Sequence, residues 1–472
     1  MRMIVALLTA VLASPLAGNA ESMPTPTPTD PGGAQQPAQP PPVPHVSFDG
    51  PALSFDFPAV KIGVAQYEEG PTGATVLLFS KLVNVAVDVR GGAPGTINTD
   101  TLRLAYEDPW VSAITLAGGS SLGLSVATGV ANTLMERIAN PANSPPVVPG
   151  AIIFDLGDRR YNAVTPDERL ARAALDAVRT GWVPLGARGA GRFAMQGDYF
   201  DDWQHSGQGA AFRRSGETKV LVVTVVNASG SIVDRNGQVL RCANPLAGDC
   251  GAISERIAKH LANLSATKRA DASVGKHTGL TRNTTITVVV TNQALPFWAL
   301  QRLAVQVHNS MARAIQSFGT EDDGDTLFAV TTGEVKNAAL SNADLGELAS
   351  ETAWDAVLAT APDLPNVAPR TYVTLTSAMA EACTGRYEFA PGAIAELRHS
   401  GAGLEIEVTG PDTLYIPAGK WVSLALVAPD EFELATRRAD RLHIDRDTGG
   451  RIVGITINPG PWPVRARRLL PN

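Results

Sequence analysis

Residues 283–292, with the sequence Asn-Thr-Thr-Ile-Thr-Val-Val-Val-Thr-Asn, join a polar entrance to a run rich in β-branched residues. Such a run favours a β-strand. An Asn-Thr pair at the start of a strand is usually only a turn, but Asp323-Gly324-Asp325-Thr326 begins the next strand-like run after one long predicted helix. Two neighbouring strand starts would bring one hydroxyl and two carboxylates to the same end of a sheet, and the glycine would allow a close backbone approach.

The hydroxyl of Thr284 is a poor nucleophile unless a base takes its proton. One available base is its own α-amine, whose ordinary pKa is ~7.7–8. That amine is freed only if the peptide bond between Asn283 and Thr284 is cut, through attack of the Thr284 hydroxyl on the Asn283 carbonyl and hydrolysis of the ester. Asp323 and Asp325 would then orient Thr284, and two close carboxylates would raise one pKa toward neutrality.

Strand-like runs and amphipathic helices alternate on both sides of this segment. The predicted strands are residues 75–82, 84–89, 111–116, 151–156, 219–226, 285–291 and 326–332. The predicted helices span residues 121–138, 165–181 (with the capping sequence Thr165-Pro166-Asp167-Glu168), 253–264, 296–318 and 344–361. Mixed elements with two strand-rich blocks predict an α+β fold of sheets covered by helices, in one domain over residues 51–382.

The two ends of the chain differ from this pattern. Residues 1–20 read as a signal peptide, with Arg2, an apolar run and small residues before a cleavage site. Residues 21–50 form a Pro-rich linker. Residues 383–472 consist of short alternating runs between Gly, Pro and Asp turns, which predicts a small all-β barrel or sandwich. The protein is therefore expected to be periplasmic or secreted.

The composition excludes several classes of function. The 472 residues carry a net charge of −7, and 18% of them are charged. Without a basic cluster, nucleic acid is not expected as a partner, and no later run is long and apolar enough for a membrane span. The cysteines lack the spacing of a metal site, so neither a metal nor a cofactor is expected. Cys242 and Cys250 are either bonded to each other or free thiols, and Cys383 is left over.

A second candidate nucleophile lies in Gly119-Ser120-Ser121-Leu122-Gly123, which matches the G-x-S-x-G sequence of a nucleophile elbow between a strand and a helix. A glycine-rich turn with a serine cap explains the same residues without chemistry.

Seven sequence blocks connect the chain to a known family. In order, they are NVAVDVRGGAPGT (84–96), LAGGSSLGL (116–124), PGAIIFDLGD (149–158), VVNASGSIVD (225–234), NTTITVVVTN (283–292), HNSMARAI (308–315) and DGDTLFAVTTG (323–333). With these blocks the sequence resembles the DmpA-type aminopeptidases, which include L-aminopeptidase/D-amidase-esterases, β-peptidyl aminopeptidases and nylon-oligomer hydrolases. The resemblance covers about residues 51–362 and makes the elbow reading of the glycine-rich block less favoured.

The resemblance implies a four-layer αββα fold, self-cleavage into α and β chains, and oligomers of the αβ unit. The nucleophile position falls on Thr284, its two supporting residues on Asp323 and Asp325, and the oxyanion-stabilising asparagine on Asn227. Family members often have a lysine near the position of His205, so His205 is a possible substrate or activation residue with a titratable charge.

The resulting prediction is an exported, self-processing hydrolase of short peptides, amino-acid amides and esters, or β-peptide and polyamide oligomers. Two other functions stay open. Ornithine acetyltransferases resemble the same fold and use a processed threonine, which suggests acyl transfer. A binding protein of the cell envelope that has kept the scaffold is the non-catalytic alternative.

Overall fold

The computed structural model describes residues 41–103, 109–138, 145–156, 164–200, 202–242, 250–270, 283–336, 338–362, 372–401, 403–410, 416, 419–435, 441–457 and 463–470. Residues Pro42–Asn472 make up one compact unit. The predicted signal peptide and most of the predicted linker lie outside the described residues.

The described part of the chain before residue 384 contains sixteen strands and six α-helices. The strands are β1 Ala52–Ser54, β2 Val60–Tyr67, β3 Thr72–Val89, β4 Thr96–Ile97, β5 Val111–Ala117, β6 Gly150–Ile152, β7 Arg179–Thr180, β8 Trp182–Pro184, β9 Met195–Gln196, β10 Gln204–His205, β11 Gln208–Ser215, β12 Thr218–Asn227, β13 Ser231–Ile232, β14 Thr284–Gln293, β15 Ile315–Gln316 and β16 Thr326–Val335. The helices are α1 Ser125–Glu136, α2 Glu168–Asp176, α3 Ile253–Ala270, α4 Phe297–Ser310, α5 Asn342–Leu358 and α6 Ser377–Cys383.

The long strand β3 joins two halves of a ten-stranded mixed sheet. Its first part, residues 72–79, pairs with β2 and β5, and its last part, residues 84–89, pairs with β16. The second half has the order β11-β12-β14-β16, in which β14 and β16 are parallel and the other pairs antiparallel. The two runs predicted as separate strands, 75–82 and 84–89, are therefore parts of one strand.

Three apolar clusters hold this region together. One contains residues from both sheet halves, such as Ile62, Leu77, Val223, Ile286 and Phe328. Helices α4 and α5 bury their apolar faces against the β12-β14-β16 half, and α1 and α2 bury theirs against the half built on β2, β3 and β5. Burial of this kind stabilises at about 25 cal/mol per Å² of apolar surface. The clusters are consistent with helices outside and sheets inside, and the full order of four layers stays a prediction.

Two predicted helices end earlier than their sequences suggest. The helix predicted over 296–318 stops at Ser310, because Ile315 and Gln316 form β15 and pair with β13. The helix predicted to reach Gly181 stops at Asp176, because Arg179 and Thr180 pair with β2 as strand β7. In both cases strand pairing with a distant segment overrides local helix propensity.

The C-terminal residues form a closed barrel of eight strands. The strands are β17 Gly385–Ala390, β18 Ala393–Ser400, β19 Gly403–Thr409, β20 Val422–Ala428, β21 Glu431–Leu434, β22 Arg441–Arg446, β23 Ile452–Ile457 and β24 Val464–Arg468. Phe193 packs into the barrel core, and the buried Arg192 donates a hydrogen bond to the Pro463 carbonyl over 3.3 Å. A domain boundary at residues 382 and 383 stays a prediction, because these contacts tie the barrel to the rest of the unit.

No helix in the described residues is long and apolar enough to cross a membrane.

Candidate active site

Three adjacent strands bring the polar residues of the sequence blocks together. Strand β12 runs antiparallel to β14 and places Asn227 opposite Thr284. Strand β16 runs parallel to β14, and the residues just before the two strands, Asn283 and Asp323, form a further bridge. Asn227, Thr284, Asp323 and Asp325 are all buried at this end of the sheet. The predicted meeting of one hydroxyl and two carboxylates is therefore present in the geometry.

The peptide bond between Asn283 and Thr284 is held on both sides. The Thr284 Oγ1 donates a hydrogen bond to the Asn283 carbonyl oxygen over 2.5 Å. The same oxygen accepts the backbone N–H of Gly324 over 2.7 Å. A Cβ atom on Gly324 would lie 2.6 Å from Thr284 Oγ1 and 2.7 Å from the Ala93 carbonyl oxygen, which is too close for any side chain. Glycine is required here because the close approach of the backbone to these two oxygens leaves no room for a Cβ atom.

Three donors surround the carboxylate of Asp323. The backbone N–H of Ser229 donates to Oδ1 over 3.1 Å, and the N–H and hydroxyl of Thr320 donate to Oδ2 over 3.1 and 2.7 Å. Burial nevertheless raises the pKa of Asp323 above its ordinary value. The hydrogen bonds favour the ionised form, so Asp323 is the better stabilised anion of the aspartate pair.

Asp325 is the more strongly perturbed carboxyl group. Its Oδ1 accepts the N–H of Thr285 over 2.5 Å, and its Oδ2 accepts the N–H of Gly319 over 2.9 Å. Burial first, and then the neighbouring Asp323 carboxylate, raise the pKa of Asp325 to about 8. Two interacting carboxyl groups titrate as a pair, and the raised pKa of Asp325 favours retention of a proton on the pair near neutrality. The role of the pair as a proton carrier stays a prediction.

Asn227 and His205 occupy neighbouring positions behind the strand starts. Asn227 accepts the Met195 N–H over 2.9 Å and donates from Nδ2 to the Phe154 carbonyl over 3.2 Å. Because an amide nitrogen carries two hydrogens, the second can serve a developing oxyanion. His205 pairs with Met195 across β9 and β10, is buried, and stacks edge-on against Phe193. The catalytic role of Asn227 and the substrate or activation role of His205 stay predictions.

Sequence reasoning missed one carboxylate at this site. Asp198 lies in a single 3-10 turn, Asp198–Phe200, and its Oδ2 accepts a hydrogen bond from the Asn283 side-chain Nδ2 over 3.4 Å. The indole N–H of Trp203 donates to the other oxygen, Oδ1. No sequence pattern marks Asp198, which comes near the site only through folding.

The serine and cysteine candidates from the sequence lie outside this site. Ser121 lies on an exposed turn between β5 and α1, with Gly119 at a positive φ of 84°. Cys242 and Cys250 form a disulfide, and Cys383 is a buried free thiol. Within the described ranges, no group of three or more His, Cys, Asp or Glu side chains is arranged to hold a metal ion.

Comparison with known proteins identifies the family. Residues 54–384 match the model of peptidase family S58. The chain belongs to peptidase family S58. Its resemblance to the DmpA-type aminopeptidases is thereby confirmed, and the S58 match includes every strand of the site described above.

The S58 relatives differ in their named activities. The chain is 41% identical over 321 residues to a 6-aminohexanoate-oligomer endohydrolase of Paenarthrobacter ureafaciens, covering 65% of this chain and 85% of that protein. It is 38% identical over 267 residues to an uncharacterized aminopeptidase of Mycobacterium tuberculosis, covering 56% and 74%. A Burkholderia sp. beta-aminopeptidase structure aligns with a TM-score of 0.46 and 17% identity, over 67% of this chain and 89% of that one. The family model and the sequence relatives make the chain a hydrolase of family S58.

Proposed function

We propose that the protein cuts itself between Asn283 and Thr284 and then hydrolyses amide bonds with Thr284 as the nucleophile. The observation that carries the proposal is the short contact of Thr284 Oγ1 with the Asn283 carbonyl, whose oxygen also accepts the Gly324 N–H. A nucleophile and an oxyanion donor thus meet at one peptide bond.

The processing step is a shift of the Asn283 acyl group from nitrogen to oxygen, followed by hydrolysis of the ester. Thr284 Oγ1 forms a bond to the Asn283 carbonyl carbon, the bond from that carbon to the Thr284 nitrogen breaks, and the hydroxyl proton passes to the nitrogen. Water then hydrolyses the ester, which leaves a carboxylate on Asn283 and a free amine beside the hydroxyl of Thr284. The Gly324 N–H stabilises the oxyanion that forms at the Asn283 carbonyl.

Turnover would repeat the same chemistry on a substrate. The Thr284 amine takes the hydroxyl proton, Oγ1 attacks the substrate carbonyl, and the substrate amine leaves with a proton. Water then resolves the acyl-enzyme. The proton held by Asp323 and Asp325 is available to the leaving nitrogen, and Asn227 supplies a further oxyanion donor.

The named activities of the relatives support two substrate classes, oligomers of an ω-amino acid and short peptides. Export after removal of residues 1–20, and assembly of αβ units into an oligomer, belong to the same proposal.

The test combines intact mass, N-terminal sequencing and amide hydrolysis of purified protein. We expect two fragments, one ending at Asn283 and one beginning at Thr284. Thr284→Ala should stay a single chain and lose at least about 10³-fold in kcat/KM, because the attacking hydroxyl is gone. Thr284→Ser keeps a hydroxyl and should still be processed. An intact wild-type chain, or normal turnover by Thr284→Ala, would refute the proposal.

A further inference from the structure

Asn283 in the uncut chain marks where the acyl part of a substrate must lie. This step rests on the proposed function, in which Thr284 Oγ1 first receives the Asn283 acyl group and later the acyl group of the substrate. Both acyl groups bond to the same oxygen and use the same Gly324 N–H, so the substrate's acyl residue takes the place of Asn283. The contacts of Asn283 therefore describe the acyl-binding site.

Those contacts give two nitrogen positions of the acyl group different hydrogen-bond acceptors. The Asn283 backbone N–H, which corresponds to a nitrogen on the α-carbon of an acyl group, donates to the Asp322 carbonyl over 3.3 Å. The Asn283 side-chain nitrogen, which is attached to the fourth carbon counted from the scissile carbonyl, donates to the Asp198 carboxylate over 3.4 Å. A carboxylate binds an ammonium group more strongly than a neutral carbonyl does. The charged acceptor thus faces the more distant nitrogen.

Asp198 is held in this position by the same elements that hold the aspartate pair. The 197–200 turn is bonded to the 229–230 turn through Gly197 N–H to Gly230 O and Tyr199 N–H to Ser229 O, both over 2.9 Å. The N–H of Ser229 in turn donates to Asp323. The acyl-side carboxylate and the candidate catalytic carboxylates are therefore fixed relative to each other.

The disulfide-bonded insertion, by which we mean Cys242, Cys250 and the following helix α3, supports the turn from the other side. Tyr199 and Phe200 pack against the ring of His260 on α3, with centroids 4.6 and 5.9 Å apart. Asp202 forms an ion pair with Arg256 over 2.5 Å, and Arg256 donates to the Cys250 carbonyl over 3.1 Å. These contacts do not involve Asn283, so cutting the chain after that residue removes none of their partners.

We propose that Asp198 binds a hydrogen-bond-donating nitrogen on the acyl side of the substrate, on the fourth carbon from the scissile carbonyl or further along. Asp198 thereby selects ω-aminoacyl substrates over acyl groups of the same length that lack the nitrogen. A flexible 6-aminohexanoyl chain carries its nitrogen two carbons further from the scissile carbonyl than Asn283 does, and it can fold its ammonium group onto the carboxylate.

The experiment compares kcat/KM of the processed enzyme for 6-aminohexanoyl-, hexanoyl- and alanyl-p-nitroanilide. We expect wild-type protein to prefer the 6-aminohexanoyl over the hexanoyl compound by about 10- to 100-fold, the range of one hydrogen bond to a charged group. Asp198→Asn should reduce this ratio to about threefold or less, mainly by slowing the aminohexanoyl compound. The matched control Glu321→Gln removes an exposed carboxylate two residues before Asp323 and should keep the wild-type ratio.

The outcomes distinguish this inference from the proposed function. If wild-type protein is processed at Thr284 and hydrolyses the hexanoyl compound equally well, or if Asp198→Asn keeps the wild-type ratio or lowers both rates equally, only the role of Asp198 is refuted. If no chain begins at Thr284 and none of the anilides is cut, the proposed function itself fails.

A second measurement does not depend on processing of the variant. Free 6-aminohexanoate should inhibit wild-type turnover with an inhibition constant at least about tenfold lower than that of hexanoate. Equal inhibition constants would overturn the inference even if Asp198→Asn accumulates as uncut precursor.

Discussion

The aspartate loop, residues 319–326, buries two carboxyl groups, whereas the C-terminal barrel keeps its ion pairs at the surface. In the loop, Asp323 and Asp325 are each 1% exposed and are satisfied by backbone N–H groups and one hydroxyl. In the described strands of the barrel, the buried side chains are apolar except for Tyr387 and Thr456, and the ion pairs lie at the surface.

Burial of two adjacent carboxyl groups costs stability unless other interactions compensate, whereas an apolar barrel core stabilises directly. Perturbed carboxyl groups of this kind concentrate at functional sites. Under the proposed function, the loop takes part in the chemistry and the barrel contributes packing. Substitutions in the loop should change the rate and its pH dependence, and substitutions on the barrel surface should change little.

The largest effect in this comparison is expected from Asp325→Asn. Wild-type turnover should rise toward about pH 8 as the Thr284 amine loses its proton and should fall above it, because the carboxyl pair then loses its shared proton. Asp325→Asn should lower kcat by about 10²-fold or more, and the decline near pH 8 should disappear. Pre-steady-state rates between pH 5 and pH 10 measure both effects.

Asp325→Asn should also change the pH dependence of the free energy of unfolding. The pKa of Asp325 is higher in the folded than in the unfolded chain, so its contribution to the free energy of unfolding is fully present below about pH 4 and is lost as pH rises through about 8. Urea denaturation at pH 5, 7 and 9 should show this slope in wild-type protein and less of it in Asp325→Asn. The exposed neighbour Asp322 provides the control, since Asp322→Asn should keep both the slope and the pH profile.

The strand starts could be predicted from sequence because local patterns encode them. The β-branched run after Thr284 and the aspartates before Thr326 each signal a strand within a few residues, and parallel neighbours in one sheet align their starts. The proximity of the two carboxylates accounts for only part of the raised pKa of Asp325, because burial is the larger cause. Asn227 was predicted as a site residue only from the family resemblance, because no pattern in the neighbouring sequence indicates such a role.

Contacts between distant loops could not be predicted in this way. Asp198 and Asn283 are 85 residues apart, and their hydrogen bond depends on how a 3-10 turn packs against the disulfide-bonded insertion. The end of α4 at Ser310 likewise depends on pairing of Ile315 with β13, which no local pattern shows. The closed barrel was one of two all-β alternatives, because closure depends on pairing between its first and last strands.

A pair of glycines gives a smaller and more local contrast. Gly324→Ala places a Cβ within 2.7 Å of Thr284 Oγ1 and of the Ala93 carbonyl, so the loop must shift and the precursor should be cut about tenfold more slowly or worse. Gly401→Ala in the barrel meets no atom within 4 Å and does not need a positive φ. It should process at the wild-type rate. Equal processing rates for the two variants, followed by gel densitometry, would contradict the proposed role of the Gly324 N–H.

The smallest effect is expected on the barrel surface, at the ion pair between Arg467 and Glu388. The Arg467 side chain is 77% exposed, and its Nη2 lies 2.5 Å from Glu388 Oε2. Exposed pairs of this type contribute about 0–1 kcal/mol because water screens them and both side chains lose freedom. Arg467→Ala should therefore change the free energy of unfolding by less than about 1 kcal/mol, and the difference should shrink in 1 M salt. Urea denaturation at low and high salt measures it. A large, salt-independent loss would mean that Arg467 stabilises the barrel through packing of its aliphatic stem. Charged side chains on the barrel surface would then matter for stability, which contradicts the contrast drawn with the aspartate loop.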